Sequence, residues 1–247
     1  MKEKIYTIPI TEVFEKETFC PFCDLYQRLE TEAVKYAVGP AMMEPDFRAV
    51  TNQKGFCQKH IADIESESKA LALSLMLKTH LESLAAILDK EITEPKKKMF
   101  SKQSVPSSPD GIAQSIDQTV HACTICDKIH HSFDRYVDTF FHLIATEESF
   151  RDVLRRTNGF CMEHFSLLLS EGKQKLKENV YLEFSRQLIA NQKKKMDKHY
   201  QNLLDFIDQF DYRNANKPPK APRDTVYQCC QFLNGVFEQK QKKLDDI

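Results

Sequence analysis

A chain of 247 residues with 35 Lys and Arg against 36 Asp and Glu carries a formal net charge of -1, which removes the global field that draws a protein to nucleic acid or an anionic membrane. Hydrophobic residues make up 41%, enough for one large core or two smaller ones. Glycine is scarce, with 6 residues; few positions then demand positive φ, and long helices fit better than serial hairpins.

The start, Met1 to Ile10, lacks the apolar run and small-residue cleavage site of an export signal. Tyr6 to Val13 alternates apolar and polar residues and is the one strand-like stretch. Asp24 to Val38 places Leu25, Tyr26, Leu29, Ala33, Val34, Tyr36 and Ala37 near helical spacing, and Gly39-Pro40 ends it. Ser68 to Leu88 repeats Leu, Ala and Met at a helical period without a breaker. Its most apolar run, Leu71 to Leu77, is interrupted by Ser74 and followed by Lys78 and His80, too short to span a bilayer. We therefore expect a cytoplasmic protein with no membrane partner.

Residues 92–111 combine three prolines, several serines and the Lys96-Lys97-Lys98 run, the composition of an exposed connector. Helical patterning resumes over Cys126 to Ile144 and Phe165 to Leu169, then over a long amphipathic stretch from Leu176 to Phe210. Within it, Lys193-Lys194-Lys195 reads as a polar outer face. Asn214 to Pro222 breaks the pattern, and Thr225 to Leu244 reads as a final helix. The expected fold class is all-α, with packed helical hairpins. It divides into a first module (1–91), a linker (92–111), a second module with the long helix (112–212) and a C-terminal tail (213–247).

The eight cysteines are not scattered. Cys20-Pro21-Phe22-Cys23 is followed by Gly55-Phe56-Cys57-Gln58-Lys59-His60, and Cys123-Thr124-Ile125-Cys126 by Gly159-Phe160-Cys161-Met162-Glu163-His164. The first pairs are offset by 103 residues and the second by 104, with Phe47-Arg48 echoed by Phe150-Arg151 at 103. This is an internal repeat of a C-x2-C…G-F-C-x2-H module. Reduced intracellular thiols point to metal or redox chemistry rather than disulfides. Zn2+ favours four tetrahedral ligands of sulfur and nitrogen. If a helix starts at each third cysteine, that cysteine and the histidine three residues on share a face, and the helix N-terminus favours the thiolate. Each copy is then expected to close its own Cys3His site, with Cys20, Cys23, Cys57 and His60 in the first and Cys123, Cys126, Cys161 and His164 in the second. That makes two Zn2+ per chain, contributing to folding. A Cys3His iron–sulfur cluster is the alternative cofactor.

Other groups carry less. Cys20-Pro21-Phe22-Cys23 has the form of a dithiol redox motif but lacks a βαβ context. Cys229-Cys230 read as helix core. His121, His130, His131 and His142 read as surface or supporting histidines. Glu44, Asp46 and Arg48 read as packing and ion-pair residues.

The segments Cys20-Pro21-Phe22-Cys23-Asp24-Leu25, Gly39-Pro40, Met43-Glu44-Pro45-Asp46-Phe47-Arg48, Gly55-Phe56-Cys57, Cys123-Thr124-Ile125-Cys126-Asp127, Arg135-Tyr136, Phe150-Arg151 and Gly159-Phe160-Cys161-Met162-Glu163-His164 resemble an uncharacterised bacterial family with two such modules. The resemblance implies no activity. Some members carry an automatic name as transporter substrate-binding proteins, which the helical pattern and the start of this chain argue against.

The function expected from these residues is a non-enzymatic zinc protein that offers helical surfaces to a protein partner. Its alternative is a thiol- or metal-responsive redox sensor. Nucleic acid is not an expected partner, because no basic helix with base-reading residues stands out.

Overall fold

The computed structural model describes residues 3–89, 109–214 and 218–235. These form eleven α-helices and no strand, so the all-α expectation holds. The chain resolves into two compact units, and they do not coincide with the two sequence copies. Unit 1 joins 1–27 to 133–247, and unit 2 is 28–132. The residues at which the chain passes from one unit to the next fall inside two helices, α2 (Pro21–Val38) and α7 (Thr124–Thr146).

Unit 1 begins with α1 (Glu3–Phe14). The expected strand alternation of Tyr6 to Val13 is thus overturned. Ile10, Val13 and Phe14 also match an i, i+3, i+4 helical set, and all three are buried; that burial outweighs both the alternation and the interior Pro9. The unit continues with the rest of α7, then α8 (Glu148–Arg156), α9 (Met162–Lys175), α10 (Glu178–Asp208) and α11 (Thr225–Asn234). α10 is one uninterrupted helix of 31 residues and packs on α8, α9 and α11. The core is aromatic. Phe14, Phe22, Phe140, Phe150 and Phe160 are buried, with Phe22 and Phe140 centroids 5.3 Å apart and Phe14 and Phe140 5.4 Å apart. Arg151 donates to the carbonyl oxygens of Ile144 and Ala145 in the last turn of α7, which supplies partners for helix-end acceptors.

Unit 2 holds the remainder of α2, a 3-10 turn at Pro40–Met43, α3 (Pro45–Lys54), α4 (Gln58–Ser66), α5 (Ala70–Leu88), α6 (Pro109–Val120) and the start of α7. Pro109, Asp110 and Gly111 of the expected linker open α6 instead, with Pro at the first helical position where its missing N–H is no loss. The rest of that linker lies outside the described residues, as does the expected final helix beyond Gly235. α3 packs on α5 and α6. Arg48 donates to the Leu75 carbonyl and to Thr79 Oγ1, 2.7 and 2.6 Å, and Tyr36 O–H donates to Glu44 at 2.7 Å. These contacts are those of packing residues.

α5 covers the helical pattern expected over Ser68 to Leu88, of which the apolar run Leu71 to Leu77 is only a part. It runs through Leu88 and is, by length and composition, able to cross a membrane. Ala72 and Met76 are buried, while Leu71, Leu81 and Leu88 are exposed.

Candidate metal centres

The structure gathers all eight expected ligands into two groups of four, and each group mixes the copies. Cys20, Cys23, Cys161 and His164 meet in unit 1; Cys57, His60, Cys123 and Cys126 meet in unit 2. The expectation that each copy closes its own site is corrected. Helix length supplies the reason. The 18 residues of α2 carry the chain about 27 Å away from the first C-x2-C, more than the 10 residues of α3, about 15 Å long, could return. The 23 residues of α7 and 9 of α8 leave a larger shortfall.

Each ligand pair is built at a helix N-terminus. α4 starts at Gln58 with Cys57 as its N-cap, and α9 starts at Met162 with Cys161 as its N-cap. Cys20 and Cys123 likewise sit immediately before α2 and α7. The second ligand, Cys23, His60, Cys126 or His164, is in every case the third helical residue, on the same face. The backbone N–H groups of Cys126 and His164 each donate to the cysteine sulfur three residues earlier at 3.5 Å. Every cluster therefore stands where two helix N-termini converge, and their dipoles stabilise thiolate.

Gly55 and Gly159 turn the chain into these caps at φ of 60° and 81°. A Cβ on Gly55 would stand 2.6 Å from His80 Nε2, and Gly55 O accepts from the N–H and the hydroxyl of Thr124, both 3.1 Å. In unit 1 the Gln192 amide clamps Phe160 instead. Gln192 Oε1 accepts from Phe160 N–H at 3.1 Å, and Gln192 Nε2 donates to Phe160 O at 2.9 Å.

The distances fit one ion per cluster. Around Zn2+ with sulfur at about 2.3 Å and nitrogen at about 2.0 Å, tetrahedral edges are about 3.8 Å for S···S and about 3.5 Å for S···N. In unit 1, S···S distances are 3.9 and 3.7 Å, and the sulfurs lie 3.5, 3.4 and 3.1 Å from His164 Nδ1. In unit 2, Cys57 and Cys126 sulfurs are 3.9 Å apart, and Cys57, Cys123 and Cys126 lie 3.3, 3.3 and 3.4 Å from His60 Nδ1. A disulfide needs sulfurs at about 2.05 Å, and all eight cysteines are free. Both clusters can hold a metal ion, and the donor set of three sulfurs and one imidazole nitrogen suits zinc chemistry.

Without a metal, the protons divide unevenly among the ligands. With protons alone on the ligands, Cys161 and Cys20 hold the Cys23 thiol far up, while hydrogen bonds from Cys20 and Cys23 hold Cys161 far down. In unit 2, burial opposes ionisation of Cys123, but the hydrogen bond from His60 prevails and brings it to about 6. Burial, then Cys123, pushes Cys126 up to about 12. Both histidines rise to about 10: burial opposes this, and the bond to Cys123 (His60) or Cys161 (His164) outweighs it. In each cluster these shifts pair one thiolate with one imidazolium, so an incoming divalent ion must displace the remaining ligand protons.

The two surroundings differ. All four unit 1 ligands are buried, whereas Cys57 and Cys126 are half-exposed. His164 stacks on Phe22, with centroids 5.7 Å apart at 30°. The backbone at Gly235, past the end of α11, lies so close that a Cβ there would stand 3.7 Å from Cys23 Sγ and 3.8 Å from Cys161 Sγ. His60 instead turns Nε2 to the Glu30 carboxylate at 3.2 Å, and Glu30 also pairs with Lys59. Hydrogen bonding to His60 is the main influence that lowers the Glu30 pKa. Glu30 and Asp63 also group around His60, and of the two it is Glu30 that meets the ring nitrogen opposite the sulfurs. Sequence reading missed Glu30, because nothing in its spacing ties it to His60. Of the remaining candidates, His121, His130, His131 and His142 are exposed. Cys229 is buried on α11, 3.9 Å from His199 Nδ1.

The chain belongs to a family of unknown function (DUF6062), whose model matches residues 1–240. No curated protein and no solved structure matches it.

Proposed function

We propose, for this member of a family without an assigned activity, that the chain is a zinc-binding helical protein whose two metal sites are structural and whose helical surface serves a protein partner. One Zn2+ is assigned to Cys20, Cys23, Cys161 and His164, the other to Cys57, His60, Cys123 and Cys126. The observation that carries the reading is the near-tetrahedral spacing of two separate Cys3His sets. Four protein ligands leave no open position for water or substrate, unlike catalytic zinc with three, so the role is taken as non-enzymatic. Three thiolates per site also suit a reducing cytoplasm.

The partner surface is assigned to α10. Leu182, Ile189, Met196, Tyr200, Leu204 and Ile207 are exposed along it, and apolar side chains aligned on one helix are suited to a helix-in-groove contact. Crosslinking from these positions in cell lysate should return the same protein repeatedly. Capture of nothing from a monodisperse sample would remove the partner part and leave the metal part standing.

The test of the metal part is elemental analysis with an absorption spectrum on protein purified without added metal and without oxygen. Two zinc per chain and no visible band are expected. Iron with sulfide and a visible charge-transfer band would replace zinc by an iron–sulfur cluster, and absence of metal would overturn the reading.

A second reading, a thiol- or metal-responsive sensor, is favoured by the half-exposed Cys57 and Cys126. Oxidation of exposed thiolates releases the ion and loosens the helix N-termini that carry them. Zinc release from unit 2 at low peroxide, with a fall in helicity, would support it; equal inertness of both sites would exclude it.

A further inference from the structure

The Lys193-Lys194-Lys195 run does not behave as one outer face. Lys193 and Lys194 are exposed, but Lys195 is only 8% exposed. It belongs to the inward stripe Leu188, Gln192, Lys195 and His199 of α10, which follows helical i, i+3, i+4 spacing. Its Nζ donates to the carbonyl oxygen of Phe19, the residue before Cys20, and lies 3.9 Å from the centroid of the Phe19 ring. Its stem closes on the turn before Cys161, since a Cβ on Gly159 would stand 3.2 Å from Lys195 Cδ. Lys195 thus bridges the two ligand-bearing turns of the unit 1 cluster, its stem against one and its ammonium on the other.

Among the described residues, no carboxylate forms an ion pair with it. Burial lowers the Lys195 pKa; the sulfurs of Cys20, Cys161 and Cys23 oppose that and favour the ammonium, while Lys198 adds to the lowering. An ammonium buried without an anion is strongly unfavourable. Three thiolates and one neutral imidazole around a divalent ion supply that anion, because their charges sum to a single negative. The loaded cluster is itself a buried charge in need of a partner. In unit 2, water at the half-exposed Cys57 and Cys126 can serve.

We infer that Lys195 is the built-in counter-charge of the loaded unit 1 site, and that it sets the affinity of that site for a divalent ion. The inference rests on the metal reading above. It adds a residue that is not a ligand, and it makes ion binding and burial of the ammonium mutually dependent.

The experiment uses the full chain loaded with zinc and titrated with a chelator, in wild type, Lys195→Met and Lys195→Arg. Met keeps the apolar stem and removes the charge; Arg keeps the charge. In Lys195→Met, one of the two zinc ions should be lost about tenfold or more easily, the scale of a lost supporting contact, while the other is unchanged. Lys195→Arg should keep most of the wild-type affinity. Repeating the titration in a Cys126→Ser background, where only the unit 1 cluster is complete, should assign the weakened ion. Thermal melts give a second readout: Lys195→Met should melt lower than wild type when loaded, yet no lower when stripped of metal. A lysine that matters only for packing would lower both melts. Wild-type chelator profiles for both ions in Lys195→Met, or equal destabilisation with and without metal, would overturn the counter-charge. A wild-type chain without bound metal would overturn the metal reading itself, a different and prior failure.

Discussion

Exchange of ligands between the sequence copies is open to a direct count. The double variant Cys23→Ser/Cys161→Ser removes two ligands from one cluster, whereas Cys23→Ser/Cys57→Ser removes one from each. Structural zinc binding is worth about 10–16 kcal/mol, so each of four ligands carries about 2.5–4 kcal/mol. Losing two from one site weakens it by about 10^4- to 10^6-fold, and losing one weakens a site by about 10^2- to 10^3-fold. Zinc per chain is then measured after dialysis against increasing chelator. The first variant should keep one ion with wild-type affinity and lose the other at once. The second should show no wild-type ion and two weakened ones. Closure of each site within its own copy demands the reverse pattern, and finding that reverse would refute the exchanged assignment.

Other outcomes follow from single positions. Phe22→Ala empties a fully buried site in contact with Phe14, Phe140 and the His164 ring; denaturant melts should show a loss of about 3–5 kcal/mol. Gly55→Ala meets both the positive φ and His80, and should lose about 1–3 kcal/mol or more, against a much smaller change at an exposed helical position such as Ser74→Ala. Glu30→Gln keeps the size but not the charge of the group that faces His60 Nε2; zinc affinity at the unit 2 site should fall about 10- to 100-fold, with the other site unmoved.

Long amphipathic helices were readable because their apolar spacing repeats over many turns, and α2, α5, α7 and α10 all sit close to the expected spans. The short α3, α6 and α8 were not. α8 offers only Phe150 and Leu154 as buried apolar anchors amid charged residues, too few to show a period. α1 was misread because Tyr6, Ile8 and Ile10 satisfy a period of two as well as Ile10, Val13 and Phe14 satisfy a helical one. The eight ligands were legible by residue type and spacing, which local helix caps impose. Their pairing was not, because it depends on how far whole helices carry the chain. Lys195 was hidden by its exposed neighbours Lys193 and Lys194; only the stripe it shares with Leu188, Gln192 and His199 marks it as inward.

Because the pairing crosses the copies, the two closures are nested along the chain rather than successive. Cys57 and Cys126 are 69 residues apart and lie inside the interval from Cys20 to Cys161, which spans 141. The outer closure, about twice as long, costs only about 0.6 kcal/mol more in chain entropy, and an inner clip formed first would shorten it. The larger consequence concerns the order of synthesis. A ribosome exposes Cys20, Cys23, Cys57 and His60 together long before their final partners exist. Until residue 126 has emerged neither site can be completed, and those four ligands are free to seize one ion among themselves. On the proposed metal reading, correct assembly then requires any such early metal to be surrendered, which makes the rate of ion exchange in the nascent chain, rather than final affinity, the step most exposed to failure.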